Sequence, residues 1–312
     1  MEQFRLTATS YPTSANKLYV IGNGFDLWHG IPSSYGDFKQ YVRHHDHNLF
    51  EAVENYLPTE SNWSDLEDAL ANVDVDGIIY NLGDFMVSYS ADDWSDSYHH
   101  DFQYEVDLVV QRLSTELRTQ FGQWIRTLKI PTPDTATKCL TTIDKGAIFL
   151  SFNYTSTLKD LYGVADGHVL HIHGNAAQQD QELILGHSWN PKQRKSLNDR
   201  PDIEEVDTRL MEANNILDNY FSTTFKPSQQ LIQEHSQFFT QLNAIDTVCV
   251  LGHSLSDVDR PYFQAILSRK SIATAQWYIA CRSNEDCEKK SARLTELGVN
   301  SRRVVTVLWE DF

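Results

Sequence analysis

The sequence is poor in cysteine and has no cysteine pairs. Cys139, Cys249, Cys281 and Cys287 are scattered through 312 residues without a CxxC spacing, which argues against a disulfide framework and against a cysteine-built zinc module. Cys249 lies inside an apolar run, where a thiol serves as a small hydrophobe. No stretch approaches the roughly 18 consecutive apolar residues of a membrane span. Met1 to Lys17 also lacks the basic block and apolar core of a secretory signal, so a cytoplasmic protein with no membrane association is expected. Positive charge is scarce as well: 26 Lys and Arg stand against 43 Asp and Glu, a formal net charge of −17. Such a chain repels phosphate backbones and acidic lipid, which argues against a nucleic-acid partner. The basic spot at Lys192, Arg194 and Lys195 reads as a solvated loop. Internal repeats and low-complexity linkers are lacking too.

What is present is enough apolar material, 41% of residues, for one large core or a core with an inserted subdomain. Short apolar runs recur at Leu18–Ile21, Ala147–Phe152, Val169–Ile172, Leu183–Leu185, Thr247–Leu251, Trp277–Ala280 and Val304–Trp309. Their continuous apolarity suits strands covered by helices on both faces. Between them run helical stripes, one at Val106, Val109, Leu113, Leu117, Phe121 and Trp124, another at Leu231, His235, Phe238 and Leu242. The alternation predicts an α/β fold with a doubly wound, mostly parallel sheet. Roughly 120 residues separate the first two strands, far beyond a minimal crossover. A mostly helical subdomain is therefore expected over 45–145, with stripes around Trp63, Leu66 and Leu70; ahead of it a capping box at Ser34 and Asp37 opens a helix with Phe38, Tyr41 and Val42. The core takes 1–44 and 146–312, with a second helical insertion at about 202–242. Asp92 to Ser97 reads as an exposed loop.

Four strand ends carry small or polar residues. Leu18 to Ile21 runs into Gly22-Asn23-Gly24-Phe25-Asp26, a Gly-x-Gly turn that suits close backbone approach to a pyrophosphate, or a tight structural turn. Ser151-Phe152-Asn153-Tyr154-Thr155 ends the second run; the Asn153 amide suits holding a ribose hydroxyl or a water, or serves as a turn residue. His171 and His173 share a face if extended, and His173, beside Gly174, suits proton transfer near neutral pH. His171 reads as a satisfied half-buried histidine. A metal site recruiting His187 and His253 is the alternative, without diagnostic spacing. Leu251-Gly252-His253-Ser254-Leu255 precedes a helix for which Ser256 or Asp257 is the natural cap. A doubly wound sheet would gather all four ends along one edge.

Taken together, these residues resemble the bacterial AbiH family of abortive-infection proteins. The resemblance rests on Ile21 to Leu27, Gly30-Ile31-Pro32-Ser33-Ser34-Tyr35, Trp63-Ser64-Asp65-Leu66-Glu67, Ser151 to Thr155, His171 to Gly174 and Leu251 to Ser254. The same motifs are similar to a divergent sirtuin pattern, which implies a Rossmann-like, sirtuin-like core. On that resemblance NAD is the ligand or substrate, Asn153 and His173 are the catalytic pair at the nicotinamide ribose, and Gly22, Asn23, Gly24, Phe25, Asp26, Pro32, Gly252, His253 and Ser254 bind the cofactor. Asp26 stands where sirtuins carry a small hydroxyl residue. The missing four-cysteine module departs from the sirtuin deacylases and points instead to hydrolysis of the nicotinamide-ribose bond by an antiphage effector. Two alternatives stand beside it: a module that binds NAD or ADP-ribose without cleaving it, and a histidine-metal hydrolase of nucleotides or nucleic acid. A partner protein or phage trigger and a homo-oligomer are further expectations, with the 45–145 insertion a candidate for assembly or substrate gating.

Overall fold

The apolar runs lack the polar alternation of a one-faced sheet, so their residues demand cover on both sides. The computed structural model, which describes residue 11 and residues 15–91, 98–179 and 181–312, supplies it. Six strands, β1 Lys17–Ile21, β2 Ile148–Ser151, β3 Val169–His171, β4 Thr247–Leu251, β5 Gln276–Cys281 and β6 Val304–Leu308, lie in the order β3-β2-β1-β4-β5-β6. Every pairing is parallel. The fold is α/β and Rossmann-like, and its strand order reverses between β1 and β4. Ligands of open α/β sheets bind beyond the carboxyl ends of the strands at such a reversal.

Register explains the core. Tyr19 lies beside Phe149 and Cys249, and Cys249 beside Tyr278, so these side chains share one face of the sheet. The Tyr19 and Phe149 rings stack with centroids 4.9 Å apart. The Tyr19 hydroxyl donates to the Thr142 carbonyl and accepts from the Asp144 N–H, each at 3.1 Å. Burial pushes the Cys249 thiol up to about 11, which leaves it an unreactive packing group. Leu18, Val20, Ile148, Leu150, Val248, Val250 and Ile279 fill the opposite face and are all buried. Each such side chain contributes about 1.5–3 kcal/mol by leaving water.

The chain divides into two compact units. The first takes the chain up to Ser33, Ile125–Leu183 and Ser228–Phe312, and holds the sheet; the second takes Ser34–Trp124 and Ile184–Pro227. In the second, the helix Tyr35–His45 opens with the expected capping box: Ser34 Oγ accepts the Asp37 N–H, and Asp37 accepts the Ser34 N–H. The stripe Val106, Val109, Leu113, Leu117, Phe121 and Trp124 is buried along Tyr98–Gln111, a π turn at Arg112–Glu116 and the start of Leu117–Thr127. Lys226, 1% exposed, pairs with Glu67, which also accepts the Tyr35 hydroxyl at 2.5 Å. No helix among the described residues is long and apolar enough to cross a membrane.

Three local expectations are corrected. Leu183–Leu185 is not a strand; the chain beyond it makes a single parallel bridge, His187 to Phe225, with the His187 N–H on the Thr224 carbonyl. Gly186 permits that approach, since a Cβ there would meet the Thr224 oxygen at 2.0 Å. The stripe at Leu231 to Leu242 breaks at His235 into Ser228–Glu234 and Ser236–Gln241. Neither Ser256 nor Asp257 caps the helix Arg260–Leu267; Ser256 turns to Asp259, and Asp257 pairs with Arg293 and Arg260. The segment Asp92 to Ser97 lies outside the described residues.

Candidate functional site

At the reversal, the ends of β1 and β4 clasp each other. The Gly22 N–H donates to the Leu251 carbonyl at 3.0 Å and the Gly24 N–H to the Gly252 carbonyl at 2.8 Å. A Cβ on Gly24 would meet the Gly252 oxygen at 2.8 Å, and one on Gly252 would meet the Phe25 nitrogen at 2.0 Å. Gly252 also holds φ +72°, the left-handed region that favours glycine. These glycines are therefore required by chain-to-chain contact, and two of their amides are already engaged. Asn23 is exposed, with its side chain tied to Ser33: Nδ2 donates to the Ser33 carbonyl at 2.7 Å, and Oδ1 accepts the Ser33 hydroxyl at 2.6 Å. Phe25 is a core residue, packed among His29, Tyr162 and Trp309. Pro32 and Ser254 are exposed.

Two residues beyond Gly24 sits a buried carboxylate. Asp26, 1% exposed, accepts the Thr155 hydroxyl on Oδ2 at 2.6 Å, and Thr157 donates to Thr155 at 3.1 Å. Its Oδ1 has no hydrogen-bonding partner among the described residues. Burial pushes its pKa up to about 6, against the pull of Thr155, Thr157 and Asn153, whose side chains favour the ionised form. Asn153 is thus the neighbour of Asp26, although 127 positions separate them in the sequence. The Asn153 carbonyl in turn accepts from His171 Nδ1 at 3.0 Å, a bond that fits the reading of His171 as a satisfied histidine. Burial lowers the His171 pKa and keeps its ring neutral near pH 7.

Beside this lies a second cluster, built from the loops after β2, β3 and β4 and the start of the helix Arg260–Leu267. His173 and His253, each 3% exposed, flank Asp259, with Nε2 of His253 3.3 Å from Oδ2 and Nε2 of His173 4.0 Å from Oδ1. His173 Nε2 also lies 3.3 Å from the Tyr262 hydroxyl. Phe152 meets both imidazoles edge-on, with centroids 5.4 and 4.3 Å away. The cluster combines proton-transfer groups with an apolar wall, as general acid-base work requires.

One loop system therefore holds Asn153 beside Asp26, and His173 and His253 about one carboxylate. His187 belongs to the second unit, where its Nε2 lies against the Phe221 carbonyl at 3.2 Å. Among the described residues no group of three or more His, Cys, Asp or Glu side chains could hold a metal ion. Asp259 and Tyr262 join the histidine cluster without having stood out as a motif. The available signal was the spacing of Asp259 and Tyr262, three apart at a helix start and so on one face.

Fold and site together define a Rossmann-like α/β protein with buried carboxyl and imidazole groups at its topological switch point. The family model described as "Bacteriophage abortive infection AbiH" matches residues 18–281, and the chain belongs to that family. Among curated proteins and solved structures, none matches it.

Proposed function

We propose that the chain acts in abortive infection by binding NAD at the carboxyl edge of β1, β2 and β4 and hydrolysing the bond between nicotinamide and ribose. The observation that carries this reading is that each candidate catalytic residue neighbours a carboxylate at the switch point: Asn153 near Asp26, whose ionised form it favours, and His173 with Nε2 4.0 Å from Asp259. Cleavage of a glycosidic bond passes through an oxocarbenium-like ribose, which a nearby carboxylate favours. Nicotinamide leaves with the bonding electron pair. Water held by Asn153 adds to the ribose carbon, and its proton passes to His173, giving ADP-ribose and nicotinamide. A positioned base of this kind supplies on the order of 10²–10⁴ in rate. Loss of NAD would then stop the infected cell.

The test is mass-spectrometric detection of nicotinamide after incubation of the purified chain with NAD, alone and with lysate of phage-infected cells. Release by the wild type and loss in Asn153→Ala and His173→Ala are expected. No release under either condition overturns the reading. A sensor that binds NAD or ADP-ribose intact is favoured by the burial of Asn153 and His173, 6% and 3% exposed, which limits the access of water. Calorimetry separates the two, because a sensor binds and returns the dinucleotide unchanged.

A further inference from the structure

The segment joining His253 to the next helix is conformationally strained. Leu255 holds φ +62°, a left-handed backbone that costs a leucine stability and persists only where the surroundings over-determine it. Two contacts do so here. The Leu255 side chain is fully buried, and Arg293 Nε donates to its carbonyl at 2.8 Å while the same guanidinium pairs with Asp257. The consequence of the turn is twofold. The Leu255 N–H donates to His253 Nδ1 at 2.8 Å, and the chain doubles back to bring Asp259 within 3.3 Å of Nε2 on the same ring.

A backbone N–H can only donate, so His253 Nδ1 must be the acceptor. The neutral ring then carries its proton on Nε2, aimed at Asp259 Oδ2, and protonating the ring a second time would forfeit the Leu255 bond. Ser256 Oγ also donates to Oδ2 at 3.4 Å. Asp259 is thereby held with Oδ1 toward His173. Facing His173 are Asp259 and Tyr262 from the helix start and the Tyr154 ring from the β2 loop, with Phe152 packed between the two imidazoles.

We propose that Asp259 is a positioning residue: His253, locked as a neutral Nε2–H donor by the strained Leu255, orients the Asp259 carboxylate, which steadies His173 in its protonated form. The charge on Asp259 is what lets His173 accept and hold a proton inside an apolar pocket. The roles are unequal: Nδ1 of His253 is taken up by the Leu255 N–H, while Nε2 of His173 faces Asp259 and Tyr262. This rests on the reading of His173 as the proton acceptor.

Nitrogen-15 histidine spectra of the wild-type chain read the tautomer without any variant. The neutral ring of His253 is expected in the Nε2–H form; an Nδ1–H form overturns the proposal. In Asp259→Asn the His173 titration should fall by about one pH unit, a tenfold change in proton affinity, and an unchanged titration overturns it. If the wild type releases nicotinamide, Asp259→Asn should lower kcat by about 30-fold with KM changed less than about threefold, and Asp259→Glu should recover part of the loss. A matching loss in Asp259→Glu, or a fall confined to KM, overturns it. Should the wild type release none, the cleavage reading falls while the histidine spectra still decide the role of Asp259.

Discussion

Replacing Asp26 with asparagine should stabilise the chain in alkaline solution while slowing the proposed reaction. The carboxyl is fully buried and its pKa is pushed from 3.8 to about 6. Between those values the folded chain holds a proton that the unfolded chain has released, so stability falls as pH rises through the window and stays reduced above it. Two pH units correspond to a cost of about 3 kcal/mol at pH 8, against about 1 kcal/mol near pH 4.5. Asparagine carries no charge to bury, and its carbonyl can still accept the Thr155 hydroxyl. Its new amide hydrogens need partners, which takes back about 1 kcal/mol. The variant should therefore exceed the wild type by about 2 kcal/mol at pH 8 and by nothing measurable near pH 4.5. Urea unfolding at the two pH values measures the difference. A variant that is destabilised at pH 8, or whose effect does not change with pH, refutes the burial argument. A buried carboxyl retained at this cost is what a working site looks like, since function and stability compete there.

Other substitutions probe the frame around it. Gly252→Ala forces a Cβ to 2.0 Å from the Phe25 nitrogen at φ +72°; a loss of at least about 2 kcal/mol is expected by thermal or urea unfolding. Thr155→Val removes the hydroxyl that Asp26 accepts at 2.6 Å, so the Asp26 titration should move higher and stability at pH 8 should drop by about 1–3 kcal/mol. Glu67→Ala removes the carboxylate paired with the buried Lys226 ammonium in the second unit; a loss of about 1–3 kcal/mol is expected by urea unfolding, and a Lys226→Met, Glu67→Leu pair should recover most of it.

Much of the fold was legible because a doubly covered strand leaves a continuous apolar run, and runs such as Thr247–Leu251, rich in β-branched residues, suit a central strand. Leu183–Leu185 looked the same over three residues, but the backbone just beyond it, at His187, bonds to Thr224 and Lys226, a choice made by tertiary contact. The capping box at Ser34 is local chemistry and could be read directly. Ser256 and Asp257 have the right composition for a cap, yet the strained turn at Leu255 redirects both. In the site, the Gly22-Asn23-Gly24 turn was visible as a turn, while the reason for its glycines was not, because the contacting atoms lie some 230 positions away at Gly252. Asp259 carried no signal of its own. Its place beside His173 and His253 is set by a left-handed leucine, a conformation that no propensity for leucine suggests.

The most direct measurement is a structure of the Asn153→Ala chain grown with NAD. The account predicts an intact dinucleotide at the carboxyl ends of β1, β2 and β4, with the nicotinamide ribose beside Asp26 and His173. Dinucleotide bound elsewhere on the chain, or none at saturating concentration, would contradict it.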